Sequence, residues 1–295
     1  MITLKSPREL ETMARAGYLV GQTLKRMRAM VAAGVSTLDL DDAAEAYIRS
    51  EGARPSFKGL YGFPKTLCTS INEEIVHGIP SAKRVFEPGD IVSVDVGVCV
   101  DGLHADAAIT VPVGPPTDAV AHLLRITEAS LERAILAVVL GNHVGDIGHA
   151  VQSYAEGEGL HVVRDLVGHG VGAKMHEDPQ VPNIGHPKRG PRLKAGMTLA
   201  IEPMLAIGTS DTRTLTDKWT VVTADGTMSA HFEHTVAVTE DGPRVLTRGE
   251  GAERPTRLTA RLLTQDVCRR TVARPPRCGA SIGSRAAAMG RWQRP

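Results

Sequence analysis

Ser6-Pro7-Arg8-Glu9 sets an N-cap serine, a proline at the first helical position and an acid three residues after the cap, so a helix is predicted to begin there. Apolar residues recur at helical spacing through Val31, and Gly34 stops the run. A second helix is predicted over about 36–51, ended by Gly52. The same pair returns later, as a long helix over about 118–140 stopped at Gly141 and a shorter one over about 146–156 stopped at Gly157. The two shorter helices align at a constant offset of 107, with Asp39, Leu40, Ala43 and Tyr47 matched by Asp146, Ile147, Ala150 and Tyr154. Internal duplication accounts for the repeat better than chance between two amphipathic helices.

Each helical pair leads into strand-like sequence. Val92, Val94, Val96, Val98 and Val100 alternate with Ser93, Asp95, Gly97 and Cys99, which predicts a strand with one dry face and one polar face. Asp101-Gly102 is a two-residue hairpin signal. A tight turn there sets Gly97 opposite Asp106 and makes Asp95 and Asp106 diagonal neighbours on one face, with no side chain between them. The expected fold class is α/β, of the α+β kind: two similar halves, about 6–112 and 117–247, around a mainly antiparallel sheet.

Beyond residue 247 the periodicity ends. Residues 248–295 hold 11 Arg, no Lys and three acids, a charge of +8, which leaves −7 on residues 1–247. A net-acidic body is a poor general binder of DNA or RNA, so a polyanion would have to meet the tail. The tail is expected to be a disordered extension; transient ribosome association through its arginines is the alternative. The longest aliphatic run, 134–140, is far short of the roughly 20 residues needed to cross a bilayer. The charged start lacks the apolar stretch of a secretory signal, and Cys68, Cys99, Cys268 and Cys278 form no CxxC pair. A cytoplasmic, reduced setting and no membrane partner are therefore expected.

Two close carboxylates need a shared proton or a cation. The second half offers two more in strand-like settings, Glu202 and Glu233, and His169 stands among glycines in Val167-Gly168-His169-Gly170. Four carboxylates and an imidazole suit Mn, Fe, Co or Zn rather than thiolate chemistry. Their charge would balance two divalent ions, an arrangement suited to hydrolysis.

Five separated motifs then carry a resemblance over about residues 1–247. They are residues 68–80 (CTSINEEIVHGIP), the Asp95 to Asp106 hairpin, His169-Gly170-Val171-Gly172 with His176-Glu177-Asp178-Pro179, Ile201-Glu202-Pro203-Met204, and Phe232-Glu233-His234-Thr235. In this set and order the chain resembles the type I methionine aminopeptidases of the short bacterial form. The resemblance implies the duplicated pita-bread fold, a monomer, and hydrolytic removal of N-terminal methionine from nascent or mature polypeptides with a small second residue, by water activated at a dinuclear site. It implies that Asp95 chelates one ion, that His169 and Glu202 bind the other, and that Asp106 and Glu233 bridge both. Glu202 would also pass a proton to the leaving amine, His176 would hydrogen-bond the scissile carbonyl, and His77 would contact the substrate.

The matching methionine pocket is Phe57, Leu60, Phe63, Cys68, Met175 and Trp219. Phe57 and Leu60 stand where the family often has Cys and Tyr, and Met175 where it often has Phe, which loosens the expected stringency. A monovalent cation, Na or K, is implied near Asn72, Glu74 and Ser229. His104, His231 and His234 match no catalytic role and are expected to be structural. Two other readings remain: X-Pro-specific aminopeptidases and prolidases, which usually carry a further domain before the shared fold, and a catalytically inactive binding protein on that fold.

Overall fold

The computed structural model describes residues 1–249. Among these residues the α-helices are α1 (Pro7–Met30), α2 (Thr37–Ser50), α3 (Asp118–Leu136) and α4 (Val144–Gly157). The strands of the first half are β1 (Arg54–Pro55), β2 (Leu67–Ile71), β3 (Glu74–Val76), β4 (Ile91–Val100) and β5 (Leu103–Pro112). Those of the second are β6 (His161–Val162), β7 (Val167–Gly170), β8 (Glu177–Pro182), β9 (Thr198–Ile201), β10 (Met204–Ala206), β11 (Thr212–Thr214), β12 (Val221–Thr223), β13 (Ser229–His231), β14 (His234–Thr239) and β15 (Gly242–Val245).

The caps explain the helix starts. Ser6 Oγ accepts from the Glu9 N–H while Glu9 accepts from the Ser6 N–H, and Ser36 with Asp39 repeats the exchange at α2. α2 and α4 are 14 residues each and correspond at both ends at the offset of 107. The bridges Ser36 to Val85 and His143 to Arg192 correspond at the same offset. The duplication is therefore structural as well as sequential.

α3 ends at Leu136, short of the expected 140. The Ala137 N–H reaches back to the Arg133 and Ala134 carbonyls, and Asn142 Nδ2 donates to the Ala137 carbonyl, closing the helix early. The body runs two residues further than expected. Arg248 pairs with Glu132 at 2.7 Å, and Gln22 Nε2 donates to the Gly249 carbonyl. The expectation of a disordered extension otherwise concerns 250–295, outside the described residues.

β4 and β5 form the predicted hairpin, with Asp101 and Gly102 at φ +49° and +81° and Gly97 facing Asp106. β2 and β1 pair along the other edge of β4. In the second half β15, β14, β9, β7 and β8 make a five-stranded sheet, and β13 pairs β10. All these pairs are antiparallel. The valine face of β4 packs on Val20, Leu24, Leu40 and Ile48 from α1 and α2, while α3 and α4 cover the second half with Leu123, Ile126, Ile147 and Val151. With helices over one face of each half, the polar faces are left to meet.

They meet along a short antiparallel seam. Ala108 and Glu233 exchange both backbone hydrogen bonds. Thr110 Oγ1 bridges the His231 N–H and carbonyl, and Thr235 Oγ1 does the same for Asp106. Two threonines thus take the place of backbone partners on either side of a local dyad. Among the described residues, no helix is long and apolar enough to cross a membrane.

Candidate metal centre

The seam floors a cleft. Asp95, Asp106, His169, Glu202 and Glu233 all line it, together with His77, His176, Phe57 and Cys68. β4 supplies Asp95, β5 supplies Asp106 and β7 supplies His169. Glu202 and Glu233 sit where β9 breaks into β10 and β13 breaks into β14. These breaks free both residues from regular pairing.

Glycine makes the crowding possible. A Cβ on Gly97 would lie 2.7 Å from Phe57 Cε1, so the ring of Phe57 occupies the place of the missing side chain, beside the two aspartates. Cβ atoms on Gly168 and Gly170 would lie 2.3 and 2.2 Å from the Ala200 and Asp178 carbonyl oxygens. His169 is therefore held by backbone approaches that only glycine permits.

Asp106, His169 and Glu233 each place a ligand atom within 4.8 Å of the others. His169 Nε2 lies 3.5 Å from Asp106 Oδ2 and 3.7 Å from Glu202 Oε1. Its Nδ1 is 2.9 Å from the Gly170 carbonyl. A carbonyl only accepts, so Nδ1 donates to it and Nε2 is the ring nitrogen turned toward the acids. Asp95 Oδ1 is buried with no hydrogen-bond partner among the described residues. Among the described residues, no Lys or Arg lines the cleft. Burial and mutual repulsion push the Asp95, Glu202 and Glu233 carboxyls well up; burial also raises Asp106, against the pull of His169. An orphaned acceptor, an oriented imidazole nitrogen and clustered acids are what a divalent cation site needs, and this donor set fits one.

His77 and His176 flank the cluster. Their enclosure lowers them to about 3 and about 2, so both rings are neutral near pH 7. His176 meets His169 edge-on at 4.4 Å, and Tyr61 stacks on it at 6.0 Å.

Of the six expected pocket residues, Phe57 and Cys68 face the cleft. Phe63 and Met175 belong to the same buried cluster, Leu60 and Trp219 pack against it, and Trp219 is edge-on to Phe63 at 5.2 Å. Val76, Leu166 and Met204 also line the cleft and were not expected. No local sequence signal marks them, because their strands are only three residues long or absent. Asn72, Glu74 and Ser229 do converge: the Ser229 N–H donates to the Asn72 carbonyl and Ser229 Oγ to the Glu74 carbonyl. The Glu74 carboxylate itself is engaged by Arg84 and the Ile71 N–H.

The halves do not contribute two symmetric acid pairs. Gly97 faces Asp106 in one and Met204 faces His231 in the other. At the offset of 107, Asp95 falls on Glu202 and Gly97 on Met204, so by strand pairing Asp106 corresponds to His231 and Ala108, two residues on, to Glu233. His231, expected to be structural, borders the site instead, with Nε2 3.8 Å from Glu202 Oε2. His104 and His234 are tied to Ser56 and Thr247.

The site is a buried acid cluster held between two duplicated halves. The sequence model of metallopeptidase family M24 matches residues 11–240. Methionine aminopeptidase 1 of Bacillus subtilis is 50% identical over 248 residues, covering 84% of this chain and all of that one, and the Clostridium perfringens methionine aminopeptidase is 50% identical over 247, covering 84% and 99%. The crystal structure of the Thermotoga maritima methionine aminopeptidase superposes with a TM-score of 0.83 at 44% identity, over 84% of this chain and all of that one. A prolidase from Pyrococcus horikoshii, at 21% identity and a TM-score of 0.67, shares the fold, and this chain covers only 64% of it. The chain belongs to metallopeptidase family M24 and, within it, to the methionine aminopeptidases.

Proposed function

We propose that this chain removes the N-terminal methionine from nascent or mature polypeptides whose second residue is small, using two divalent ions held by Asp95, Asp106, His169, Glu202 and Glu233. The observation that carries the reading is the apposition, in one cleft, of a cation-demanding acid cluster and an apolar wall. Mn, Co, Fe and Zn all suit these donors. When bound, the ions supply Lewis-acid polarisation and a lowered pKa for water.

The chain's own groups do the rest. Glu202 holds and passes the proton that goes to the leaving amine, a task suited to a carboxylate whose basicity burial has raised. His77 and His176 are neutral and so can offer an N–H to a substrate carbonyl without adding a second positive charge to the cleft. Phe57 and Cys68, backed by Leu60, Phe63, Met175 and Trp219, form an apolar seat for an unbranched thioether.

The test is methionine release from Met-Ala-Ser against cleavage of Ala-Pro-Ser, with chelator-stripped protein titrated with each metal. Metal-dependent release from the first alone is expected. Cleavage of the proline peptide alone would move the chain to the proline-specific activity, and metal binding with no cleavage would favour a binding protein.

A further inference from the structure

We propose that His231 is a positioning residue for Glu202, holding Oε2 of that carboxylate so that Oε1 stays turned toward His169, with which Glu202 would hold an ion. The inference rests on the functional reading above and adds a residue to it.

Three observations converge on His231. Its ring is 2% exposed, and Nε2 is buried with no hydrogen-bond partner among the described residues. A buried polar atom left without a partner costs roughly 1–3 kcal/mol, so the ring nitrogen has reason to seek one. The acid facing Nε2 is Glu202, whose Oε2 lies at 3.8 Å while its Oε1 lies 3.7 Å from His169 Nε2. Each oxygen of one carboxylate thus faces a different imidazole. Finally, the backbone of His231 is clamped at both N–H and carbonyl by Thr110 Oγ1, and it pairs in register with Met204, two residues past Glu202. The ring is delivered by a rigid frame.

The duplication gives the arrangement a rationale. His231 occupies the place that Asp106 holds in the first half. A second aspartate there would add a fifth buried negative charge to a cluster already crowded with four. An imidazole there brings a ring nitrogen to Glu202 and adds no acid. A turn of the Glu202 side chain, whose backbone carbonyl accepts from Asn183 Nδ2, would close the gap of 3.8 Å to a hydrogen bond. That bond fixes which oxygen of Glu202 is turned toward His169.

Two variants test it, His231→Leu, which keeps bulk and removes the donor, and His231→Gln, which restores an N–H donor. The expected result for His231→Leu is a kcat on Met-Ala-Ser lowered about 10–100-fold with KM held within about threefold, and Mn2+ affinity, measured by calorimetry on the stripped protein, weakened about tenfold. His231→Gln is expected to recover both to within about threefold of wild type. Normal kcat and Mn2+ affinity in His231→Leu would overturn the proposal, as would a rise in KM alone, which would make His231 a substrate contact. A His231→Gln variant that melts like wild type yet is as impaired as His231→Leu would overturn it too. Absence of methionine release from wild type would sink the peptidase reading, whereas the Mn2+ titrations would still decide the role of His231.

Discussion

Asp106 shows how the site trades stability for function at the level of one residue. It is 3% exposed, it accepts from Thr235 Oγ1 through Oδ1, and three further carboxylates share its cleft. Without a cation, removing its charge relieves repulsion while an amide keeps the hydrogen bond to Thr235. Asp106→Asn is therefore expected to raise the melting temperature of the chelator-treated protein, to abolish most of the stabilisation by added Mn2+, and to lower activity by more than about 100-fold. A lower melting temperature in the stripped variant would show that the acids are not in conflict. Gly97 makes the complementary point. A methyl there meets the ring of Phe57 at 2.7 Å and Ser56 Cβ at 2.8 Å, so Gly97→Ala is expected to cost about 1–3 kcal/mol in denaturant melts and to raise KM for methionyl peptides as Phe57 is displaced. Unchanged KM with lost stability would remove Phe57 from the methionine seat. Asp95 and Asp106 were legible in the sequence because unbroken alternation and Asp101-Gly102 fix their register without any other part of the chain. His231 was not, since its partner strand is interrupted at Glu202-Pro203 and only the pairing across that break shows which way the ring faces.

Among the elements, helices were read well because caps and glycine stops are local, while α3 overran its end because the Asn142 side chain that closes it lies five residues beyond the bond it makes. Sheet partners were the least legible. The seam between β5 and the strands around Glu233 depends on two threonine hydroxyls standing in for backbone groups, a substitution with no pattern in either strand alone. α2 offers a test of how helices are fixed to the sheet. Asp41 accepts from the Thr66 and Leu67 N–H groups at 2.8 Å, and Glu45 joins Arg49 on its own helix to Lys58 and Thr66 on the segment entering β2. The hydrogen bond from Lys58, helped by Arg49, holds the Glu45 carboxyl down at about 2, from an ordinary 4.5. A depressed acid stabilises the fold above its unfolded pKa, and this contribution is lost as pH falls through the folded one. Glu45→Gln is accordingly expected to cost about 1 kcal/mol near pH 7. The difference should shrink between pH 4.5 and 2 in urea melts; a penalty that persists at pH 2 would mean that shape, not charge, is responsible.

At the scale of the whole molecule, duplication raises the question of why the halves do not unfold separately, and the ends of the body answer it. The N-terminal segment crosses to the second half, where the Lys5 N–H donates to the Gly196 carbonyl and Lys5 Nζ pairs with Glu177 at 2.6 Å, both side chains nearly buried at 3% and 11% exposure. Gly172 makes room for it, since a Cβ there would lie 2.3 Å from Lys5 Cε. The other end crosses back, with Leu246 and Gly249 packed on Gly17 and Gly21 of α1. Each half is thus closed by the other's terminus, and melting should be a single transition rather than two. Glu177 follows His176 in sequence, so the same clasp fixes the loop that carries a cleft histidine. Removing Lys5 leaves the Glu177 carboxylate enclosed without its cation, a loss of about 3–5 kcal/mol for a buried pair. Lys5→Ala is therefore expected to lower the melting temperature while keeping one cooperative transition, and to reduce kcat for Met-Ala-Ser through the loosened His176 loop. Two resolved transitions in the calorimeter would show that the halves are held by the seam alone, and full kcat in a destabilised variant would separate the clasp from the cleft.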